Sequence, residues 1–322
     1  MNARNFAAAL AGAVLLFGTT ARGADVWPSK PVTIVAPFGA GSATDTVSRF
    51  YAKFLKEETG ATVIVENRPG ANAMIGSQFV AKSAPDGYTV LMGSGTGNAA
   101  NYPLYAGRIG YRPESFDTVA IIFVSPPAIF AAPGIPGDTI QKVIAAAAMK
   151  SPKGVSCGSG NSVTLVACEM LKRQTGADIV SVSYKGNGQS LLDLAGGQIT
   201  LAISDMGAAA PLVAEGRVRP VVVAAQTRLS ALPGVPSAKE QGLDMDFLSW
   251  NGLFVPAGTP EPVIQKLNAA ARRMLASPEW EKLRISSSGI EVSGDLAESR
   301  KFVASEIAKW KGYASETNVK VE

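Results

Sequence analysis

The sequence predicts an α/β protein of two lobes, one strand–helix unit being interrupted by another so that the chain crosses between them twice. Three observations carry this. Short apolar runs rich in β-branched residues alternate with helical stretches, the pattern of mostly parallel sheets flanked by helices. A loop of small residues between a strand and a helix occurs once in each half, at Phe38 to Asp45 and at Gly158 to Thr164. Extended runs near Pro126-Pro127 and over Leu248 to Pro256 read as crossings, which places one lobe over 24–124 and 250–322 and the other over 125–249.

In chain order, Val32 to Ala36 is the first buried strand, and Pro37 forbids its continuation. Gly39, Ala40, Gly41 and Ser42 follow, and Ser42 or Thr44 is placed to cap a helix with Val47, Phe50, Tyr51 and Phe54 as its apolar stripe. Thr62 to Glu66 is a second strand, Ala71 to Ser83 a helix, and Tyr88 to Gly93 a third strand that ends in the polar loop Gly93 to Asn98. Val119 to Ala132 is extended, Ile140 to Met149 helical, and Gly154 to Cys157 a short strand before Gly158-Ser159-Gly160-Asn161-Ser162-Val163-Thr164 and the helix Leu165 to Thr175. Strands at Val180 to Tyr184, Ile199 to Ser204 and Val218 to Ala225 flank a helical stretch at Ser190 to Leu194. After the return crossing come helices over Val263 to Leu275 and Ala297 to Tyr313.

The two loops carry the functional expectation. A buried strand, a small-residue loop and a helix N-terminus present free backbone N–H groups, and the helix dipole adds to their pull on an anion. Two such loops form two walls of a cleft at the carboxyl ends of the strands, suited to a carboxylate. Asp205, at the end of a strand, either caps the helix that begins near Ala208 or faces the ligand. Trp250 at the return crossing is expected to pack on the hinge.

Composition narrows the chemistry. The leader has Arg4, an apolar run from Phe6 to Gly18 and the small residues Ala21 and Gly23, and reads as a signal peptide over 1–23. Its removal takes two arginines and no acid from a formal charge of +4, and the remaining basic residues form no aromatic-interleaved stripe, so nucleic acid is not an expected partner. Outside the cytoplasm Cys157 and Cys168 are permitted a disulfide, although the strand–loop–helix corner between them sets the alternative that they are too far apart. The chain has no histidine, which excludes Ser-His-Asp and Cys-His catalysis. The match of Gly154-Val155-Ser156-Cys157-Gly158 to a nucleophile elbow therefore lacks its base.

Four stretches together, WPSKPVTIVAPFGAGSATD, VIVENRPGANAMIGSQFVAKSAPDGYTVLMG, VSYKGNGQSLLDLAGGQIT and GLFVPAGTPEPVIQKLNA, resemble the tripartite tricarboxylate transporter solute-binding proteins, the Bug family, over essentially the whole mature chain. The resemblance implies a Venus-flytrap fold in the periplasm, with no cofactor, no metal and no enzymatic activity. It implies capture of one small organic acid, a di- or tricarboxylate or an aromatic acid, and delivery to a permease of one large and one small integral subunit. A monomer is expected. Mapped residue by residue, the family's first ligand loop falls on Phe38, Gly39, Ala40, Gly41 and Ser42, its third-strand loop on Asn98, its second-lobe loop on Ser159, Asn161, Ser162, Val163 and Thr164, and its aspartate on Asp205. Asn98 and Leu165 stand where many members carry histidine, which points toward a flatter or aromatic acid. Two other classes compete: a secreted hydrolase acting through Ser156, and a sensor subunit reporting ligand to a membrane kinase.

Overall fold

The computed structural model describes residues 27–151 and 154–317. The leader expected over 1–23 lies outside them. Strands β1 (Val32–Ala36), β2 (Val63–Asn67), β3 (Thr89–Ser94) and β4 (Phe116–Ser125) alternate with helices α1 (Ala43–Thr59), α2 (Met74–Ala81) and the short α3 (Asn101–Leu104). The stretch expected as a polar loop after β3 is helical instead: a π-type turn over Thr96–Ala100 runs directly into α3. Then follow β5 (Ala128–Ala131), α4 (Ile140–Lys150), β6 (Val155–Ser159), α5 (Ser162–Thr175), β7 (Ile179–Ser183), α6 (Asn187–Ala195), β8 (Leu201–Ser204), α7 (Met206–Ala214) and β9 (Arg219–Val223). The chain ends with β10 (Ser249–Pro256), α8 (Glu261–Leu275), α9 (Pro278–Ser286) and α10 (Leu296–Thr317).

Two five-stranded sheets result, ordered β2-β1-β3-β10-β4 and β7-β6-β8-β5-β9. Each is mostly parallel, with one reversed strand in fourth place: β10 is antiparallel to β3 and β4, and β5 to β8 and β9. The reversed strands are the ones laid down after a crossing. A chain that leaves one sheet at its carboxyl edge enters the facing sheet at the same edge, and so runs backward through it. The carboxyl ends of the parallel strands therefore face each other across a cleft, where open α/β sheets hold ligands.

One apolar core fills the space between the first sheet and α1, α8 and α9, around Ile34, Tyr51, Leu55, Met92, Leu267 and Trp280. A second runs from the other face of that sheet into the second lobe without a break, through Leu91, Phe254, Trp250, Trp310, Phe247 and Phe130. Helix α10 carries this continuity. Near its start Ser299 Oγ accepts from the Ile121 amide of β4 at 2.9 Å, and near its end Lys309 and Tyr313 donate to the Asp246 carbonyl at 3.1 and 2.9 Å. Trp310 and Tyr313 also pack on Phe247, so α10, expected within the first lobe alone, leans on both.

Cys157 and Cys168 are joined as a disulfide, with Cα atoms 5.9 Å apart. The corner is not too wide for the bond, because only Gly160 and Asn161 separate β6 from α5 and the helix folds straight back onto its strand. No helix among the described residues is long and apolar enough to cross a membrane.

Candidate functional site

Between the two sheets lies a cavity of about 590 Å³. Four helix N-termini open onto it, each fed by the strand before it: α1 after β1, α5 after β6, α6 after β7 and α7 after β8. The sequence reading found the entries to α1 and α5 and, through Asp205 alone, that to α7, and it missed the entry to α6 as part of the site. The entries to α6 and α7 contribute Lys185, Gly186, Asn187, Gly188, Asp205, Gly207 and Ala208.

In the first lobe Phe38, Gly39, Ala40, Gly41 and Ser42 all line the cavity. Ser42 caps α1, its hydroxyl accepting from the Asp45 amide at 3.2 Å. Not every N–H of this loop is open to a ligand. The Gly41 amide donates to Asp45 Oδ2 at 3.0 Å and the Ser42 amide to the Gly39 carbonyl at 3.2 Å, whereas the Gly39 and Ala40 amides have no partner among the described residues. The expected run of donors from Gly39 to Ser42 thus narrows to its first half. Asp45 holds the loop from beneath: its buried carboxylate also accepts from Arg49 at 3.0 and 3.1 Å and from Asn67 Nδ2 at 2.9 Å. Burial opposes ionisation of Asp45, but the Arg49, Gly41 and Asn67 donors outweigh it and hold the carboxyl below its ordinary value.

In the second lobe Asn161 and Val163 line the cavity, while Ser159, Ser162 and Thr164 do not. All three are buried and engaged elsewhere. Ser159 belongs to β6 and donates to the Val182 carbonyl at 3.5 Å; Ser162 donates to Asn101 Oδ1 at 3.0 Å. Thr164 forms a capping box with Asn161, and its hydroxyl accepts from the Gly160 and Asn161 amides at 3.1 and 3.2 Å. The Gly160, Asn161 and Thr164 amides are consumed by the helix's own cap, whereas those of Ser162 and Val163 have no partner among the described residues. Gly160 must be glycine for a separate reason: a Cβ there would lie 2.0 Å from the Asn187 amide nitrogen, so its absence lets the entry to α6 close against the loop.

Asn98 lies beneath the cavity floor, where its Oδ1 accepts from the Ser94 amide at 3.2 Å. Leu165 also falls outside the lining, so the two positions that pointed toward an aromatic acid do not touch the space the acid would fill. Aromatic surface does reach it from Phe38, Phe123 and Trp250. Trp250, expected to pack on the hinge, also lines the cavity, and its Nε1 donates to the buried Glu306 of α10 at 3.1 Å. Sequence reasoning missed Asn251, whose Nδ2 donates to Thr44 Oγ1 at 3.0 Å and the Gly93 carbonyl at 3.2 Å, and Leu283 and Ser287 at the end of α9.

Asp205 lines the cavity and precedes α7 without capping it. Its Oδ2 accepts from Asn187 Nδ2 at 3.0 Å, and its Oδ1 is buried with no partner among the described residues. Burial pushes its carboxyl above the ordinary value, against the opposing influence of Ser249 and Asn187. The hydrolase reading finds no support nearby: Ser156 is bonded into the sheet, accepting from the Thr200 amide at 3.0 Å.

The profile of the tripartite tricarboxylate transporter family receptor matches residues 47–319. Among solved structures, a Rhodopseudomonas palustris protein with adipate is 29% identical, with a TM-score of 0.84 over 91% of this chain and 98% of its own. The malate-bound MatC of Rhodopseudomonas palustris is 29% identical, with a TM-score of 0.81 over 89% of this chain and 99% of its own. The periplasmic binding protein BugD is 26% identical, with a TM-score of 0.82 over 91% and 99%. With two facing sheets and a cavity between them, the chain belongs to the tripartite tricarboxylate transporter receptor family, the Bug-type solute-binding proteins.

Proposed function

We propose that this protein captures a small organic acid in the inter-lobe cavity in the periplasm and delivers it, without chemistry, to a membrane permease of one large and one small integral subunit. The observation that carries the reading is the convergence of four helix N-termini on one cavity, a field that favours an anion with no cluster of basic side chains. Relatives solved with adipate and malate support a carboxylate as that anion. The open amides of Gly39 and Ala40 receive one carboxylate, and each hydrogen bond to a charged acceptor contributes about 1.5–3 kcal/mol. The lobes close over the ligand, and the permease recognises the closed, monomeric form.

The test is thermal shift of the ligand-stripped mature protein against adipate, malate, succinate, citrate, glutamate, nicotinate and terephthalate. A ligand at about a hundred times its Kd adds about 2.7 kcal/mol to stability. A rise with at least one acid supports the reading. No rise with any, from protein shown by mass spectrometry to carry no ligand, overturns it.

A further inference from the structure

Two buried acidic residues, Asp45 of α1 and Glu306 of α10, stand behind the cavity wall without lining it. They are built alike. Each pairs with a basic residue one turn further along its own helix, Asp45 with Arg49 at 3.0 Å and Glu306 with Lys309 at 2.8 Å. Each also accepts from a residue that does line the cavity: Asp45 from the Gly41 amide at 3.0 Å, Glu306 from Trp250 Nε1 at 3.1 Å. Asp45 in this way shapes the first loop. Glu306 has the same grip on an aromatic side chain.

The other contacts of the Trp250 indole supply no direction. Phe254 and Phe302 pack on it with ring centroids 6.2 and 5.7 Å away. Apolar packing is non-directional and does not distinguish one edge of an indole from the other, whereas a hydrogen bond does. The bonded edge also lies on Gly95, a second lining residue: a Cβ there would be 3.0 Å from Nε1 and 3.2 Å from Cδ1. Turning the ring would therefore both strip Nε1 of its acceptor and change how the indole meets Gly95 in the wall.

Satisfying an indole N–H does not by itself account for the carboxylate. Trp27 and Trp310 bury Nε1 with no partner among the described residues, so the fold leaves such donors unmet away from the cavity. A buried ion pair also carries a desolvation cost that a neutral acceptor would avoid. Lys309 extends the hold to the return crossing, donating to the Asp246 carbonyl at 3.1 Å.

Building on the organic-acid reading, we propose that Glu306 is a positioning residue for ligand binding: through Trp250 Nε1 it fixes the indole as a preformed wall of the cavity, and so raises affinity for an acid that it does not touch.

The test is isothermal titration of the ligand-stripped mature protein with adipate, malate, succinate, citrate, glutamate, nicotinate and terephthalate, and a double-mutant cycle with each acid that binds wild type. Glu306→Met keeps the length of the side chain without its acceptor, and weakens binding about tenfold. Glu306→Gln still offers Nε1 an oxygen and stays within about threefold of wild type. Lys309→Met leaves the indole bond in place, so it lowers the urea midpoint while affinity stays within about threefold. Trp250→Phe retains a ring without the N–H and loses about tenfold, and adding Glu306→Met to it costs no more than about twofold further. Wild-type affinity in a folded Glu306→Met overturns the inference. A full further loss in the Trp250→Phe background also overturns it, because Glu306 would then act independently of the indole. Wild-type affinity in Trp250→Phe overturns it whether or not the Glu306 variants fold. Absence of binding by wild type to every acid, in protein shown to carry no ligand, overturns the organic-acid reading itself.

Discussion

The hydroxyl of Ser162 donates to Oδ1 of Asn101 at 3.0 Å, and neither side chain is exposed to solvent. Ser162 opens α5 in the second lobe. Asn101 opens α3 in the first and is anchored there by its Nδ2, which donates to the Asn72 carbonyl at 2.7 Å. The bond fastens one lobe to the other beneath the cavity, on a residue that sequence reasoning assigned to the ligand. Because the pair joins the two lobes and α10 contacts both, the closure proposed above is expected to take the form of a rotation about this buried seam.

Ser162→Ala therefore acts on stability. It leaves Asn101 Oδ1 buried without a donor, at a cost of about 1–3 kcal/mol. Urea unfolding of the ligand-free protein should show this loss, with intrinsic affinity changed far less. A variant of unaltered stability and abolished binding would return Ser162 to the ligand shell.

The first loop is best tested at Gly39. A Cβ there meets nothing within 4 Å, its backbone is outside the left-handed region, and its amide is one of the two left open. Gly39→Asp should leave unfolding within about 0.5 kcal/mol of wild type. It should weaken binding of any carboxylate about tenfold or more, by placing a like charge at the loop. Ser42→Glu is a poorer probe, since it also removes the α1 cap, worth about 1 kcal/mol. Normal binding by Gly39→Asp would move the carboxylate site away from this loop.

The contrast between Gly39 and Ser162 shows what was legible before the structure. The strand β1, the cap at Ser42 and the loop between them are local, and their residues announce them: a β-branched run, a proline stop, glycines and a capping hydroxyl. The second loop looks the same in sequence but differs in partners. Thr164 answers Asn161 in a capping box, a spacing that was readable and went unread, whereas the partner of Ser162 is 61 residues away and no local pattern reveals it. Helix α9 had its signals too, with Ser277 capping and Pro278 in the first turn, but its short apolar pattern concealed it. The reversed strands β5 and β10 follow from how the chain enters each sheet, a property of the whole topology.

The Cys157–Cys168 disulfide ties β6 to α5, the two elements that carry the second-lobe loop, and closes a short loop with a sequence separation of 11. Loop-closure entropy assigns such a link about 3 kcal/mol. Reduction, or replacement of both cysteines by alanine, should lower the urea midpoint accordingly. Affinity should change little, because Thr164, Asn161 and Gly160 keep their own hydrogen bonds. Equal stability with and without reductant, in protein shown to carry free thiols, would refute the contribution.

Asp45 gives the first loop an acid limit. Its carboxyl titrates below the ordinary 3.8 in the folded chain, so the folded state favours the ionised form. The stability this supplies is present above the unfolded value and is lost as pH falls through the lower folded value. In Asp45→Asn the amide still offers one acceptor to the Gly41 N–H, but the paired contact with Arg49 is gone. The variant should be about 2 kcal/mol less stable than wild type at neutral pH, in proportion to the charged hydrogen bonds removed. That gap should close as pH is lowered below the ordinary carboxylate range. Denaturant unfolding of the two proteins across acid pH measures it directly, and a gap that stays constant down to the lowest pH would mean that packing of the side chain, and not its charge, holds the loop.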